Sequence, residues 1–186
     1  ISPRPHLDQL RAIASSVVAP VSVLPYLQIV ARSGHPSPSQ HIAPRNVTVW
    51  LPNGYTIGDS CQVIYMHDGQ MLFDATTTWN KQEWQVDEVL GKLIAEKKVR
   101  STIVVAIDNT DDRLNEYFPS KTLDYTPDDI TNYGRMTPKG DEYLRFVVEE
   151  LKPFIDEHYR PLTDCANTFV FWILWTCRNW LWILSS

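Results

Sequence analysis

Apolar and polar positions along the chain change period several times, and each change marks an element. From Asn46 to Leu51 the pattern alternates, with Val47, Val49 and Leu51 on one face and Thr48 and Trp50 on the other. That is a strand, closed by the turn signal Pro52-Asn53-Gly54. Val63 to Met66 is apolar on both faces, as in a central strand of a covered parallel sheet. Between Trp84 and Lys98 the apolar residues Val86, Val89, Leu90, Leu93 and Ile94 form a helical face with charges opposite. Thr102 to Ile107 reads as another buried strand, and a polar excursion runs from Thr110 to Gly140. A second helix carries Leu144, Val147, Val148, Leu151 and Ile155, with Asp141 as its expected cap and Pro153 as its expected bend. A third strand starts at Thr168.

Strand, helix, strand, helix, strand predicts an α/β fold with right-handed crossovers and a doubly wound, mainly parallel sheet. Residues 1–44 are irregular and rich in proline, and Val21 to Ile29 reads as an edge strand interrupted by Pro25. Residues 45–170 form the regular domain, and 171–186 a tryptophan-rich tail.

Composition adds boundaries. With 186 residues and 44% hydrophobic content, one ordinary globular domain is expected. The net charge of −5, with both signs interspersed, gives no basic footprint for nucleic acid. Cys61, Cys165 and Cys177 form neither a metal-type cluster nor an even-numbered disulfide framework, which points to a reducing, cytoplasmic setting. No basic stretch followed by an apolar run opens the chain.

The candidate chemistry begins where the Val63–Met66 strand stops on His67, Asp68, Gly69 and Gln70. Open α/β sheets hold ligands at the carboxyl ends of their strands. Two readings stand side by side: a ligand-facing turn, or a plain Asp-Gly turn with His67 packed beneath it. Asp108 and Asn109 end the neighbouring strand and face the same crevice, although both residue types also serve as turn formers. Trp79 either rims a pocket or covers the sheet end. Arg113, Glu116 and Tyr117 are expected to fix the long loop through an ion pair and a hydrogen bond. His158 sits at a helix end, where a packing role is expected.

Several blocks together carry a resemblance: RNVTVWLPNGY, VIYMHDGQMLFD, VVAIDN followed by RLNEYFP, and GDEYLRFVVEELKPFIDEHYR. In order and spacing, from about Arg45 to Asn167, they resemble the esterase branch of the α/β-hydrolases, which includes enterobactin and feruloyl esterases. The resemblance implies a serine nucleophile on an elbow after the third strand, an acid and a histidine later, and a small-molecule carboxylic ester as substrate. It requires neither metal nor organic cofactor. It also implies that one oxyanion-hole donor comes from the loop after an early strand. The turn after His67 matches that place, so the backbone amides of Gly69, Gln70 and Met71 become candidates, Gln70 first, with Gly69 expected to let the backbone turn tightly.

The chain then departs from the pattern. It continues TFVFWILWTCRNWLWILSS, with no glycine after Gly140 and no serine between Ser120 and Ser185. Trp172, Trp175, Trp180 and Trp182 crowd this stretch, and a bulky residue cannot close a strained elbow. Tryptophan is encoded only by TGG. Reading Phe171 to Thr176 one base forward gives Gly, two residues drawn from Phe, Ser, Tyr or Cys, and Gly again. A frame shift, truncation or splice change near Phe171 is therefore the expectation, with an inactive chain as its consequence. The alternatives are a non-catalytic binding or regulatory module on the same scaffold, and a metal-dependent hydrolase using His67, Asp68 and Asp108. The last lacks a convincing ligand spacing. Phe169 to Leu184 contains Arg178 and Asn179 and falls short of the ~20 apolar residues that span a bilayer, so no membrane partner is expected. A Trp-rich interfacial segment is the membrane alternative. Self-association is expected through an uncovered sheet edge.

Overall fold

The computed structural model describes residues 26–30, 39–76, 78–120 and 137–171. These contain five strands: β1 (Tyr26–Val30), β2 (Asn46–Trp50), β3 (Gln62–His67), β4 (Thr102–Ile107) and β5 (Thr168–Phe171). One sheet holds them in the order β1-β2-β4-β3-β5. The three strands expected to be parallel neighbours are so, with Ile64 opposite Val104 on one side and Phe169 on the other.

The sheet is mixed rather than mainly parallel, because β1 runs antiparallel to β2 and β2 antiparallel to β4. The link from β2 to β3, residues 51–61, contains turns and no helix. A crossover that returns a strand parallel to its predecessor needs a dozen or more residues, usually a helix. The expected N-terminal edge strand is present as β1, while Val21 to Pro25 lie outside the described residues.

Strand alternation sorts the core onto two faces. Val47, Val49, Val63, Tyr65, Ile103, Val105 and Ile107 meet Tyr143, Val147, Leu151, Ile155 and Tyr159 on one face. Trp50, Met66, Val104 and Ala106 meet Trp84, Val86, Leu90 and Ile94 on the other. Helices therefore cover both faces: α1 (Val86–Ala95) on the second, and the pair α3 (Gly140–Arg145) and α4 (Lys152–Tyr159) on the first. Each fully buried aliphatic side chain contributes about 1.5–3 kcal/mol.

Asp141 does not cap its helix. Lys139 holds that position without a side-chain bond, and Asp141 lies in the first turn, where its charge complements the helix dipole. Gly140 is set against the Phe118–Pro119 backbone, at 2.8 Å from where a Cβ would stand, so only glycine seats this helix start. Pro153 acts as expected of a residue without an N–H: α4 begins around it, and a π-helical stretch, Phe146–Leu151, joins α3 to α4 ahead of it. His158 is exposed and stacks on Phe154 at 4.0 Å, its Nδ1 2.8 Å from the Phe154 carbonyl, a local helix-end contact. No helix among the described residues is long and apolar enough to cross a membrane.

Candidate functional site

β3 ends at the sheet's carboxyl edge, and the chain there enters a single 3-10 turn, Gly69–Met71. Asp68, not Gly69, takes the left-handed conformation, with φ 57°. Asp tolerates that region better than most side chains. Gly69 is required for a different reason from the one expected. A Cβ at Gly69 would stand 2.7 Å from the Ile107 nitrogen and 2.8 Å from the Ala106 carbonyl carbon, so the turn lies directly against the backbone of β4.

Side chains then fix the turn from two directions. Arg113, in the short helix α2 (Arg113–Glu116), grips Asp68 with Nε to Oδ1 at 2.7 Å and Nη2 to Oδ2 at 2.6 Å. Asn109, just beyond β4, donates from Nδ2 to Asp68 Oδ1 at 2.6 Å. Gln70 and Asn109 are doubly joined: the Gln70 Nε2 donates to Asn109 Oδ1, and the Asn109 backbone N–H donates to Gln70 Oε1 at 3.1 Å. Burial raises the Asp68 carboxyl, but the bonds from Arg113 and Asn109 outweigh it and hold the group below the usual carboxylate range. The bond to Asp68 in turn raises Arg113. Charge-assisted forks of this kind are the stronger class of hydrogen bond.

His67 packs beneath the turn, on the face of β3 that Val63 and Tyr65 share. Its Nδ1 lies 2.6 Å from the Tyr143 hydroxyl, and its ring meets Tyr117 edge-on at 5.4 Å. Burial, with Arg113 and Arg45 adding to it against the pull of Asp68, lowers its pKa to about 4. The imidazole is neutral at pH 7. Burial also raises the Tyr117 and Tyr143 hydroxyls, so both stay protonated.

The loop-fixing pair expected among Arg113, Glu116 and Tyr117 is split between two partners. Arg113 serves Asp68, and Tyr117 places its ring 4.9 Å beneath the Arg113 guanidinium. Glu116 instead binds Arg45 through Nη2 to Oε1 at 2.6 Å and Nη1 to Oε2 at 3.1 Å. Both side chains of that pair are 2% exposed. The Arg45 guanidinium also faces the Tyr143 ring at 5.2 Å. Arg45 and Tyr143 are the residues that sequence reasoning missed. Each sits inside a motif, yet their partners lie far along the chain, and no periodicity links them.

The remaining candidates separate. Asp108 turns from the crevice to β2, where Asn46 Nδ2 bonds its carboxylate at 3.2 Å, and burial raises its pKa. Asn109 joins the turn. Trp79 does not cover the sheet end, since it is 87% exposed. It rides on a loop closed by bonds from Trp84 N to Met71 O and from Val86 N to Leu72 O. The Met71 amide is engaged at 2.8 Å with the Asp68 carbonyl. Asp68 and Asp108 thus each answer to protein partners, and among the described residues no group of three or more His, Cys, Asp or Glu is placed to hold a metal.

A family model described as Putative esterase matches residues 40–169. The chain belongs to that esterase family.

Solved structures resemble this esterase-family chain over most of its length. The enterobactin esterase of Shigella flexneri, solved in the presence of enterobactin, is 17% identical; 78% of this chain matches 30% of that one, with a TM-score of 0.52. The BES protein of Bacillus cereus is also 17% identical, over 83% of this chain and 53% of its own, with a TM-score of 0.50. A ferulic acid esterase of Anaeromyces mucronatus, in complex with ferulic acid, is 23% identical over 78% of this chain and 47% of its own, with a TM-score of 0.48. The first two likenesses show the fold, which is α/β-hydrolase-like. The chain spans about half or less of the length of these structures. Among curated proteins, none matches.

Proposed function

We propose that the chain carries the oxyanion-turn half of a serine carboxylic-ester hydrolase. The observation behind this reading is the Asp68–Met71 turn, clamped by Arg113 and Asn109 at the carboxyl end of β3, beside the end of β5. In such a reaction a serine attacks the ester carbonyl, a histidine takes its proton and an acid orients the histidine. The carbonyl oxygen becomes an oxyanion, and preorganised backbone amides stabilise it without reorganising. The Gln70 N–H is the preferred donor, because its side chain is tied to Asn109 and the peptide therefore has a fixed direction. Trp79 is the candidate rim for a phenolic or other aryl group, with siderophore and short acyl esters as the further substrate classes.

The sequence as it stands has no Gly-x-Ser-x-Gly turn after β5, so this chain is expected not to hydrolyse esters by itself. The tryptophan-rich stretch after Phe171 reads as a shifted frame, and its residues lie outside those described. Incubation with 4-nitrophenyl acetate and with a fluorophosphonate probe tests the inactivity. No saturable turnover and no labelled serine are expected; one stoichiometrically labelled serine, whose change to Ala abolishes turnover, overturns the reading. The coding sequence around codon 171 tests the frame, since a one-base forward shift should open a Gly-x-x-Gly stretch with serine between the glycines. The missing elbow also favours a second reading, a binding module on the same scaffold. Saturable binding of a phenolic ester without turnover, in a gene whose frame is intact, would support it.

A further inference from the structure

The residue beneath the turn has an unusual position. His67 is the last residue of β3 and pairs with Ile107 on one side, and among the described residues the pairing with β5 runs to Met66 opposite Phe171. The residue is 2% exposed. Two cations face it, Arg113 from α2 and Arg45 from the segment before β2. Tyr117 and Tyr143 enclose the ring, Glu116 neutralises Arg45 from behind, and Asp68 is the carboxylate that faces it directly. Asp68 is already shared between Arg113 and Asn109. An imidazolium formed here would therefore meet two guanidinium groups and only a carboxylate whose charge is largely committed.

We propose that His67 is an acid-sensitive latch on the Asp68–Met71 turn: the neutral ring holds the turn against β4, and protonation releases it. Release is local because the groups around the ring also hold the turn: Arg113 grips Asp68, and Tyr117 meets the ring edge-on while its hydroxyl lies 3.4 Å from Asp68 Oδ1. Val63 to Met66 of β3 are paired on both sides, whereas the turn depends on a left-handed Asp68 and on contacts from Arg113, Asn109 and Tyr117 that converge on it. A non-glycine left-handed residue persists only while its surroundings enforce it.

The direction follows from linkage. The closed turn keeps His67 neutral down to about pH 4, whereas an open, hydrated His67 has its ordinary value of 6.5. Closure is thus fully favoured above 6.5 and weakens as pH falls from there towards 4. Going from about pH 8 to about pH 5 multiplies the open population about 30-fold. Asp68, held below the usual carboxylate range, loses its contribution only at still lower pH, so the two effects separate. As regulation of the proposed ester site this rests on the reading of the turn as an oxyanion turn, because an open turn cannot present the Gln70 N–H.

Amide hydrogen exchange on the 186-residue chain, corrected for intrinsic rates, tests the latch. The Met71 and Leu72 amides, bonded to the Asp68 and Gly69 carbonyls, should lose about 30-fold of their protection over that range while Val104 and Val105 keep theirs. In His67→Gln the turn amides should lose that pH dependence. Unchanged turn protection, equal loss at Val104 and Val105, or an undiminished acid response in His67→Gln each overturns the proposal. If that variant fails to fold, the ring resonances of His67 in the unmodified chain decide. Titration in step with the Met71 amide supports the latch, and ordinary titration near 6.5 with the turn still protected refutes it. The exchange experiment reads the turn alone, so failure of the ester reading appears only in the ester and probe assays.

Discussion

β4 and β5 flank the same strand, run in the same direction and pair with β3 in continuous register, yet they live in different environments. Ile103 to Ile107 of β4 are 0% exposed, whereas Phe169, Val170 and Phe171 of β5 are 44–47% exposed. Backbone pairing is therefore not what buries a strand. β4 has β2 on its far side and helices on both faces, and the turn after β3 rests on its backbone. β5 is the last strand in the order among the described residues. The candidate site inherits this asymmetry, since its charged and amide contacts reach back to α2 and the ends of β2 and β4 rather than to β5.

The largest effect should come from breaking the buried pair on the β4 side. Glu116→Ala leaves the Arg45 guanidinium without its carboxylate in a site where both side chains are 2% exposed. Removing one partner of a buried pair costs ~3–5 kcal/mol, read from urea unfolding midpoints. Replacing both, as Arg45→Met with Glu116→Leu, should recover most of the loss, because no charge then remains uncompensated. If the double variant is no better than the single, the pair is not what fixes this side.

The strand and helix positions were legible because they depend on local periodicity, which each segment carries in itself. Val47 and Val49, or Val86, Leu90 and Ile94, announce their faces without any knowledge of the rest. The pairing of charges was not legible. Arg113 has Glu116 three residues away and bonds Asp68 across 45 residues, and Arg45 reaches Glu116 across 71. Such choices depend on which strand ends the topology brings together. The antiparallel β2 illustrates the same limit: its alternation identified a strand but carried no information about direction. Gly69 was correctly singled out for the wrong reason, since a sequence shows that glycine stands in a turn but not which backbone passes beneath it.

A smaller break of the β4 side is Gly69→Ala. The added methyl would meet the Ala106–Ile107 backbone at 2.7–2.8 Å, and backbone yields less readily than a side-chain tip. Overpacking of this kind costs ~1–3 kcal/mol. The turn should lift from β4, so the Met71 amide should exchange faster by more than global destabilisation explains. Asp68→Asn separates geometry from charge at the same place. Asn accepts the left-handed backbone as readily as Asp, so the loss reports the carboxylate's charge and the bonds it accepts from Arg113, whose side chain is 29% exposed, and from Asn109. A charge-assisted pair in partial contact with solvent should be worth about 1–2 kcal/mol, at the low end of the range for charged hydrogen bonds. A loss as large as that of Glu116→Ala would mean the two ion pairs act as one unit.

The smallest effect should come from the other flank, and it is the one that tests the comparison most directly. Val170→Lys introduces a charge in the middle of β5, at a position 47% exposed and opposite Tyr65 in the β3 register. The same substitution at Val105, opposite Tyr65 from the β4 side, would place an unpaired ammonium where the residue is 0% exposed. On β5 the lysine stem can lie along the apolar surface while its ammonium stays in water, so stability should change by no more than about 0.5 kcal/mol. Its consequence should be colloidal. An apolar edge without a charge or proline is a template for pairing with another chain, and one lysine on an edge strand blunts it. Sedimentation at increasing concentration should show less self-association for Val170→Lys than for the unmodified chain at equal urea midpoint. If the midpoint instead falls by several kcal/mol, β5 is covered by more than the described residues provide, and the asymmetry between the two flanks of β3 does not hold.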